Sequence, residues 1–367
     1  MHIEKIELHN FRNYSNLELE FSKNVNLILG KNAQGKTNLL EAVYLTAIGR
    51  SFRTSKDIDL VKFNENNSII KVWAEKELNS TTVEISIKRK GEKSSEKYIK
   101  KDKKNVTRTS QLLKNILIVI FSPEDLKIVK DEPEKRRKFI DRELSQISPK
   151  YYNSLSNYKK SLLQRNTYLK EENLEPSIID IWDVQLSKYG AEVIFLREKF
   201  IEKLSEYSSK IHSGITGGKE KLDILYEPNV EIKQSLSEQE DFIYSELKNS
   251  FKTDLRNRNT SVGPHRDDIL FVVNDIDMRN FGSQGQQRTC ALSLKLAELN
   301  LIKEKTDEDA ILLLDDVMSE LDADRQEFLI DTMKNNQLFI TTTELDQNIK
   351  DKFKELKIFY IENGNLI

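Results

Sequence analysis

The sequence is poor in the residues that build disulfide-stabilised or metal-centred domains. It contains a single cysteine, Cys290, so no internal disulfide framework is possible and a reducing compartment is expected. Its four histidines (His2, His9, His212 and His265) are scattered along the chain and show no metal-ligand spacing. These shortages exclude zinc-binding modules and small secreted scaffolds as function classes.

Long apolar segments are also missing. No apolar run reaches the roughly 18 residues that a membrane-spanning helix needs, so no membrane span is expected. The first ten residues, MHIEKIELHN, alternate as a strand does and lack an apolar signal core, which predicts that the protein is not exported. Together with the low cysteine content, these features predict a cytoplasmic location.

Charge is abundant but nearly balanced. The 367 residues are 38% hydrophobic and 32% charged with a net charge of −2, which allows real cores and two or three domains. Basic residues nevertheless cluster in the segment 88–108 and again at 135–138. Such runs are most often solvated hairpin tips and helix faces, and the alternative is a nucleic-acid contact.

The distribution of periodic segments predicts the architecture. Strand-like alternation dominates residues 1–122, helical spacing dominates 123–261, and strands alternate with helices over 262–367. We therefore expect an α/β head that is discontinuous in sequence, formed by the first and last segments, with an inserted α-helical arm domain between them. In the arm, two long helices joined by a short polar link predict an antiparallel helical hairpin.

Proline after serine marks two expected helix starts. Ser122-Pro123 and Ser148-Pro149 each place a hydroxyl at the N-cap and proline at the first helical position. Both pairs therefore predict that a helix begins there.

A phosphate-binding loop follows the apolar strand 25–29. The residues Gly30, Lys31, Asn32, Ala33, Gln34, Gly35, Lys36 and Thr37 fit G-x-x-x-x-G-K-[ST] at every fixed position. Glycines let backbone N–H groups surround phosphate oxygens, and the following helix directs its positive end at them. Lys36 is expected to reach the β- and γ-phosphates, and Thr37 to ligate Mg²⁺.

A pair of acids after a second apolar strand is the expected partner of this loop. The strand 311–314 delivers Asp315 to its carboxyl end, where it can hold Mg²⁺ through water. Asp316 stands where it can polarise a water for attack on the γ-phosphate. The less specific interpretation, that paired acids only cap the next helix, is disfavoured because a phosphate loop is present elsewhere in the chain.

The order and spacing of the motifs indicate the class of ATPase. In kinases and small GTPases the two motifs lie close together, but here about 280 residues separate them. The sequence Ser283-Gln284-Gly285-Gln286 also opens a helix shortly before the acids, as the signature of ATP-binding-cassette ATPases does. A metabolic P-loop kinase has no use for this segment, and a nuclease of the overcoming-lysogenization type needs a further metal-binding domain after the acids.

The whole chain resembles the RecF family, bacterial repair ATPases related to the SMC proteins. The segments that carry the resemblance occur in the family's order: 8–14, 30–38, 49–53, 121–126, 136–141, 262–268, 283–288 and 314–322. The helical middle is too short for the coiled coil of an SMC protein, although another SMC-like repair ATPase remains an alternative.

The resemblance implies a function and a set of site residues. It implies ATP and Mg²⁺ as cofactors, with Gly30 to Asn38 at the phosphates, Thr37 and Asp315 at the metal, and Arg12 near the nucleotide. Ser283, Gly285 and Gln286 are implied to face the γ-phosphate held by a second copy, so that ATP drives dimerisation of the heads. Residues 319–322 are implied to form the loop that crosses this dimer interface.

The implied role is that of a recombination mediator. The protein would bind single-stranded, gapped and duplex DNA and its junctions in the nucleoid, contact RecR, and with RecO help RecA to load during repair, replication and the SOS response. Its ATPase would be slow, DNA-dependent and used as a switch.

Two positions depart from the wider cassette pattern. Asp316, with a shorter reach, replaces the glutamate that usually follows the metal-binding aspartate. Thr341-Thr342-Thr343 stands where a switch histidine is usual. Both departures predict slow hydrolysis.

Overall fold

The computed structural model describes residues 1–76, 79–91, 93–343 and 355–367. The strands are β1 (His2–Phe11), β2 (Tyr14–Glu20), β3 (Val25–Leu29), β4 (Asn67–Glu75), β5 (Ser80–Arg89), β6 (Ser95–Lys101), β7 (Lys104–Asn105), β8 (Ile118–Phe121), β9 (Leu222–Glu227), β10 (Asp268–Val273), β11 (Ile276–Asp277), β12 (Ile311–Asp315), β13 (Leu338–Thr342), β14 (Leu356–Glu362) and β15 (Asn365–Leu366). The helices are α1 (Lys36–Ile48), α2 (Pro133–Ile147), α3 (Pro149–Tyr168), α4 (Pro176–Ile215), α5 (Leu236–Asn257), α6 (Met278–Phe281), α7 (Gln284–Thr306) and α8 (Ala323–Thr332).

The chain folds into two compact units. The first, here called the sheet unit, combines Met1–Asp125 with Glu298–Ile367, and the second, the helical unit, is Leu126–Ala297. The sheet unit is therefore discontinuous in sequence, and its second boundary falls within α7.

A parallel sheet organises the sheet unit. Its strand order is β15-β14-β3-β13-β12-β8, and β14, β3, β13, β12 and β8 run parallel. Because these strands share one direction, the segments that leave β3, β12 and β13 emerge at the same edge of the sheet. The apolar strands β3 and β12 are buried along their whole length, as expected for a sheet covered on both faces.

An antiparallel sheet of order β2-β1-β4-β5-β6-β7 completes this unit. Its inward side chains, such as Ile6 and Val72, share one core with α1 and with the parallel sheet. Gln337 joins the two sheets, because its buried side chain accepts from the Ile3 N–H and donates to the Ile3 carbonyl, both at 2.7 Å. The side-chain amide thus replaces a missing strand partner.

The helical unit packs α3 against α4 and α4 against α5 and β9. Contacts of Ser154 with Glu192 and of Arg165 with Asp183 show that α3 and α4 are antiparallel. The sequence prediction of a helical hairpin therefore agrees with the structure. A small sheet of order β11-β10-β9 belongs to the same unit.

Buried arginines fix this unit internally. Arg165 is fully buried between Asp183 and Asp254, with an N–O distance of 2.7 Å to each. Arg197 lies between Asp141 and Asp267, at 2.8 Å from both. Removing one partner of such a pair leaves an uncompensated charge in the core, so these contacts strongly favour one arrangement of the helices.

The structure differs from the sequence analysis at three points. The segment 262–297, which the sequence analysis assigns to the head, packs within the helical unit because β10 pairs with β9. Strand β9, with alternating Leu222 and Ile224, was not predicted between the two helical stretches. Where a helix is expected after Ser122-Pro123, Asp125 accepts from the Ser122 N–H and hydroxyl, and only a short 3-10 helix follows at Asp125–Lys127. The next α-helix, α2, begins at Pro133.

Candidate functional site

The glycine-rich loop lies between β3 and α1 and is closed by its own lysine. The Lys36 Nζ donates to the carbonyls of Gly30 (2.8 Å) and Lys31 (3.2 Å), and Lys36 is 4% exposed. The backbone takes left-handed φ values at Ala33 (64°) and Gly35 (117°), which bends it tightly before the helix. The Lys36 ammonium group therefore lies within the loop, bonded to loop carbonyls at the N-terminus of α1.

Neighbouring segments hold the loop from outside. Asn13 donates to the Gln34 carbonyl (2.8 Å) and the Tyr14 hydroxyl donates to the Gly35 carbonyl (2.9 Å). The φ of 117° at Gly35 favours glycine, and a Cβ there would also lie 2.6 Å from the Asn13 side-chain amide, which would have to move. From the C-terminal hairpin, Gly364 donates its N–H to the Gln34 carbonyl (3.0 Å).

Two threonines converge on the acid at the end of β12. The hydroxyls of Thr37 and Thr341 both donate to Asp315 Oδ1, at 2.8 and 2.9 Å. Burial raises the pKa of the Asp315 carboxyl, and the two hydroxyl donors partly oppose this rise. Asp316 follows with a left-handed φ of 52°. The two sequence motifs, 278 positions apart at Thr37 and Asp315, are thus in direct contact.

A buried carboxylate gathers arginines beside the loop. Glu41 of α1 is fully buried and accepts two bonds from Arg12, at 2.8 and 2.7 Å. Ser51 donates to the same carboxylate at 2.5 Å, and Arg53 approaches it at 3.5 Å. Arg12 also donates to the Asp59 carbonyl (2.8 Å). Glu41 therefore fixes the directions of two cationic side chains.

These arginines face a cavity of about 580 Å³. Its walls include Arg12, Asn13, Asn38, Arg53, Phe63 and Arg89. Asn38 donates to Asn13, which contacts the phosphate loop, so two residues of the cavity wall lie beside that loop. Phe63 stands at the wall with 84% of its surface exposed. The cavity combines positive charge, amide groups and one free aromatic face.

The signature segment lies in the helical unit at the start of α7. Ser283 accepts from the Gln286 N–H (3.2 Å), and the Gln286 side chain accepts in return from the Ser283 N–H (3.1 Å), which forms a capping box. Gln286 also donates to Glu220 at 2.9 Å. Ser283 and Gln284 are exposed, and Gly285 is half-buried, so this helix N-terminus is open to solvent.

The predicted site residues thus divide between the units. Those of the phosphate loop (Gly30, Lys31, Asn32, Ala33, Gln34, Gly35, Lys36, Thr37 and Asn38), together with Arg12, Asp315 and Asp316, lie in the sheet unit. Ser283, Gly285 and Gln286 lie in the helical unit. Within the sheet unit, Thr37 of the loop contacts Asp315, and Asn13 connects the loop to the wall of the Arg12 cavity.

Comparison with known proteins identifies the family. The family described as "RecF/RecN/SMC N terminal domain" matches residues 2–366. The DNA replication and repair protein RecF of Clostridium tetani is 44% identical over 370 aligned positions, covering 100% of both chains. That of Clostridioides difficile strain 630 is 42% identical and covers 100% of this chain and 98% of its own. The chain belongs to the RecF family.

Solved structures agree with this assignment. A structure described as the recombination mediator protein RecF-ATPrS in the RecFOR pathway matches with a TM-score of 0.92 and 38% identity, covering 100% of this chain and 97% of that chain. An SMC head bound to the C-winged helix domain of ScpA matches with a TM-score of 0.57 and 16% identity, covering 100% and 96%. The α/β fold of an SMC-type ATPase head, expected from the sequence, is therefore confirmed.

None of the helices in the described ranges is both long and apolar enough to cross a bilayer.

Several residues of this RecF-family site were missed by sequence reasoning. Asn13 and Tyr14 belong to a segment that carries the family resemblance, but their sequence pattern does not predict that they contact the phosphate loop. Gly364 gives even less signal, because its contact joins positions far apart in the chain. Glu41 looks like an ordinary charged residue of a helix, yet it is 0% exposed.

Replacing Glu41 tests the buried ion-pair hub. Glu41→Gln removes the charge that compensates Arg12, so we expect a loss of about 2–4 kcal/mol in the free energy of unfolding. Glu18→Gln is the matched control, since Glu18 is 65% exposed where it pairs with Lys5, and its expected loss is below about 1 kcal/mol. Urea unfolding measures both, and equal losses for the two variants would contradict the assigned role of Glu41.

Proposed function

We propose that this protein is an ATP-controlled DNA-binding recombination mediator that uses nucleotide binding to pair two copies of its head. The observation that carries the proposal is the 2.8 Å contact between Thr37 of the phosphate loop and Asp315 at the end of β12. It supports one nucleotide site built from both motifs, in a chain that belongs to the RecF family. The relatives in that family are named DNA replication and repair proteins.

The phosphate loop and the adjacent cavity together suit a nucleoside triphosphate. Lys36 is already inside the loop and has only to exchange the carbonyls of Gly30 and Lys31 for phosphate oxygens. The cavity of about 580 Å³ lies within the usual range of small-molecule sites. Arg12, Arg53 and Phe63 line it, so ribose and base are placed there next to guanidinium groups and an aromatic ring. Two solved RecF structures, each 38% identical to this chain, are described with ATPrS and ATP.

Mg²⁺ fits the same place. The Thr37 hydroxyl and the Asp315 carboxylate each offer an oxygen atom as a metal ligand, and these two oxygens lie 2.8 Å apart. Oxygen is the ligand type that Mg²⁺ prefers. Bound there, the metal would neutralise charge on the β- and γ-phosphates. Asp316 would hold the attacking water through a side chain shorter than glutamate, and we therefore expect slow turnover that serves as a switch.

Removing the loop lysine tests nucleotide binding. Lys36→Ala deletes the one side-chain ammonium inside the phosphate loop, so ATP affinity should fall at least about 100-fold. Stability without nucleotide should change little, because the Lys36 ammonium contacts only loop carbonyls in the described structure. Calorimetric titration with ATP and thermal melting measure the two quantities.

A surface lysine outside the loop gives the control. Lys23 is 70% exposed where it pairs with Glu75 at 3.6 Å, and Lys23→Ala should leave ATP affinity within about threefold of the parent. A Lys36→Ala protein that melts normally and binds ATP as tightly as the parent contradicts the assignment of this loop.

Dimerisation is assigned to the signature segment. Ser283, Gly285 and Gln286 lie at the N-terminus of α7, where Ser283 is exposed, and the positive end of a helix dipole attracts anions. In the proposed dimer, this end of one copy meets the γ-phosphate held by the phosphate loop of the other. Residues 319–322, in which Ser319 is exposed and donates to the Asp316 carbonyl, would lie at the same interface.

DNA contact is assigned to the tip of the β6–β7 hairpin. Asp102 and Lys103 have left-handed φ values of 50° and 66°, and Asp102 accepts from the Thr82 N–H at 2.8 Å. The turn is thus anchored to β5, while Lys103 and Lys104 are exposed. Lysines fixed on a rigid tip suit contact with phosphates of the DNA backbone.

Neutralising the tip tests DNA binding. The test variant replaces Lys101, Lys103 and Lys104 together by Gln and should bind duplex DNA more weakly. The magnitude of the negative slope of log K against log salt should decrease by about 0.9 for each DNA phosphate that the variant no longer neutralises. Gel shifts or anisotropy over a salt series measure the slope. Lys100 is kept, because it pairs with Glu84 at 3.3 Å.

A charge-matched control separates a local contact from net charge. The control variant replaces three exposed lysines that pair with neighbouring acids: Lys203, Lys210 and Lys334. Their joint replacement by Gln removes as many positive charges as the hairpin variant does. It should leave the salt slope unchanged. Equal effects of the two triple variants would contradict a DNA contact at the hairpin.

Membership in the RecF family supports a proposal for the wider role. We place the protein in the cytoplasm at the nucleoid, on single-stranded gaps, duplexes and their junctions, with RecR as the direct partner and RecO and RecA as indirect ones. In this role it supports RecA loading in repair, replication and the SOS response. Comparison of gapped with blunt duplexes, with and without ATP, tests the preferred DNA structure.

A further inference from the structure

Thr341 occupies a distinctive place in the parallel sheet. It lies near the end of β13, the strand between β3, which leads to the phosphate loop, and β12, which leads to Asp315. Its side chain is completely buried. The sequence pattern singles out this position only as one where a switch histidine is missing.

One hydroxyl group of Thr341 serves both acids. It accepts from the backbone N–H of Asp316 at 2.9 Å and donates to Asp315 Oδ1 at 2.9 Å. A threonine hydroxyl has one proton and two lone pairs, so both bonds are compatible at once. The side chain of Thr341 therefore links two consecutive residues of the neighbouring strand end.

The bond to Asp316 secures an uncommon backbone conformation. Asp316 has a φ of 52°, a left-handed value that few residues other than glycine adopt. Its side-chain direction depends on this turn, because a return to extended backbone would redirect the carboxylate. Thr341 holds the amide that belongs to the turn.

The bond to Asp315 is independent of the phosphate loop. Asp315 Oδ1 also accepts from Thr37, but Thr37 belongs to the nucleotide side of the site. Thr341 approaches from the sheet, where β12 and β13 are paired at Leu314–Ile340 and Asp315–Thr341. The sheet framework thus orients this carboxylate through Thr341.

We propose that Thr341 is the positioning residue of the ATPase site, which fixes Asp315 and Asp316 through a single hydroxyl. This inference rests on the proposed ATPase function. In hydrolysis, the oxygen of water bonds to the γ-phosphorus and the bond from that phosphorus to the bridging oxygen breaks. ADP leaves with the electron pair, and the proton of the water passes by way of Asp316 to solvent. Thr341 touches none of the reacting atoms and acts only through the two acids.

The protein without nucleotide gives the first test. Thr341→Val removes the hydroxyl and keeps the branched shape, whereas Thr341→Ser keeps the hydroxyl. Amide hydrogen exchange over residues 314–318 should accelerate at least about tenfold in the Val variant and stay near the parent rate in the Ser variant. Unchanged exchange in the Val variant would overturn the proposed link to the Asp316 amide.

Steady-state kinetics give the second test. Thr341→Val should lower kcat for ATP hydrolysis at least about tenfold while the Kd for ATP stays within about threefold, since Lys36 and its loop are untouched. Thr341→Ser should restore kcat to within about threefold of the parent. Thr332→Val is the control, because the hydroxyl of Thr332 donates to the Phe328 carbonyl within its own helix.

The Asp316→Asn variant distinguishes a failure of the proposed ATPase chemistry from a failure of the positioning role of Thr341. If this variant hydrolyses ATP as the parent does, the proposed ATPase chemistry is wrong, and the exchange result alone then decides the structural role of Thr341. If Asp316→Asn is slow but Thr341→Val has the parental kcat, the positioning role is wrong. A Ser variant as slow as the Val variant also overturns it, because packing of the methyl group would then be the cause.

Discussion

The hydrogen bond from Thr37 to Asp315 is the contact on which the arrangement of the site depends. It joins a helix start near the beginning of the chain to a strand end close to its finish, 278 positions away, over 2.8 Å. The parallel sheet makes this contact possible, because β3, β13 and β12 are neighbours and present their carboxyl ends together. Without that shared edge, the glycine-rich loop would lack its contact with Asp315.

Burial then determines the chemistry of this edge. Asp315 is 9% exposed and Glu41 is 0% exposed, so each carboxylate needs close hydrogen-bond donors. Asp315 receives hydroxyls from Thr37 and Thr341, and Glu41 receives guanidinium and hydroxyl groups from Arg12 and Ser51. The same donors that satisfy the acids also fix the directions of the side chains around the loop and the cavity.

Sequence patterns predicted the parts of the molecule whose physical cause is local. The strands β3 and β12 are apolar runs, the loop from Gly30 to Thr37 needs its glycines in fixed places, and α3 begins at its capping Ser148. The family resemblance covers nearly the whole chain, so the head fold was also predictable. Strand β9 was missed because its alternation is short and its partner β10 lies beyond α5, and the assignment of 262–297 differs from the structure for the same reason.

The supporting contacts of the site were beyond sequence reasoning. Thr341, Asn13 and Gly364 act through tertiary contacts, and none belongs to a motif with a fixed spacing. Thr341 is instructive, because the sequence pattern marks it only as a position that lacks an imidazole, whereas its hydroxyl bonds both Asp315 and the Asp316 amide. At this departure from the cassette motif, the threonine side chain therefore performs a physical task different from that of the histidine.

The central claim is that ATP joins two copies through the open start of α7, and light scattering with and without Mg²⁺-ATP tests it most directly. Because the nucleotide would lie at the interface, the dimer must by linkage hold ATP more tightly than the monomer does. We expect the mass of the parent protein to double with ATP. We also expect that Ser283→Arg, which puts a bulky side chain at this helix start, binds ATP but stays monomeric. A parent that never dimerises with ATP, or a Ser283→Arg variant that dimerises as the parent does, contradicts the claim.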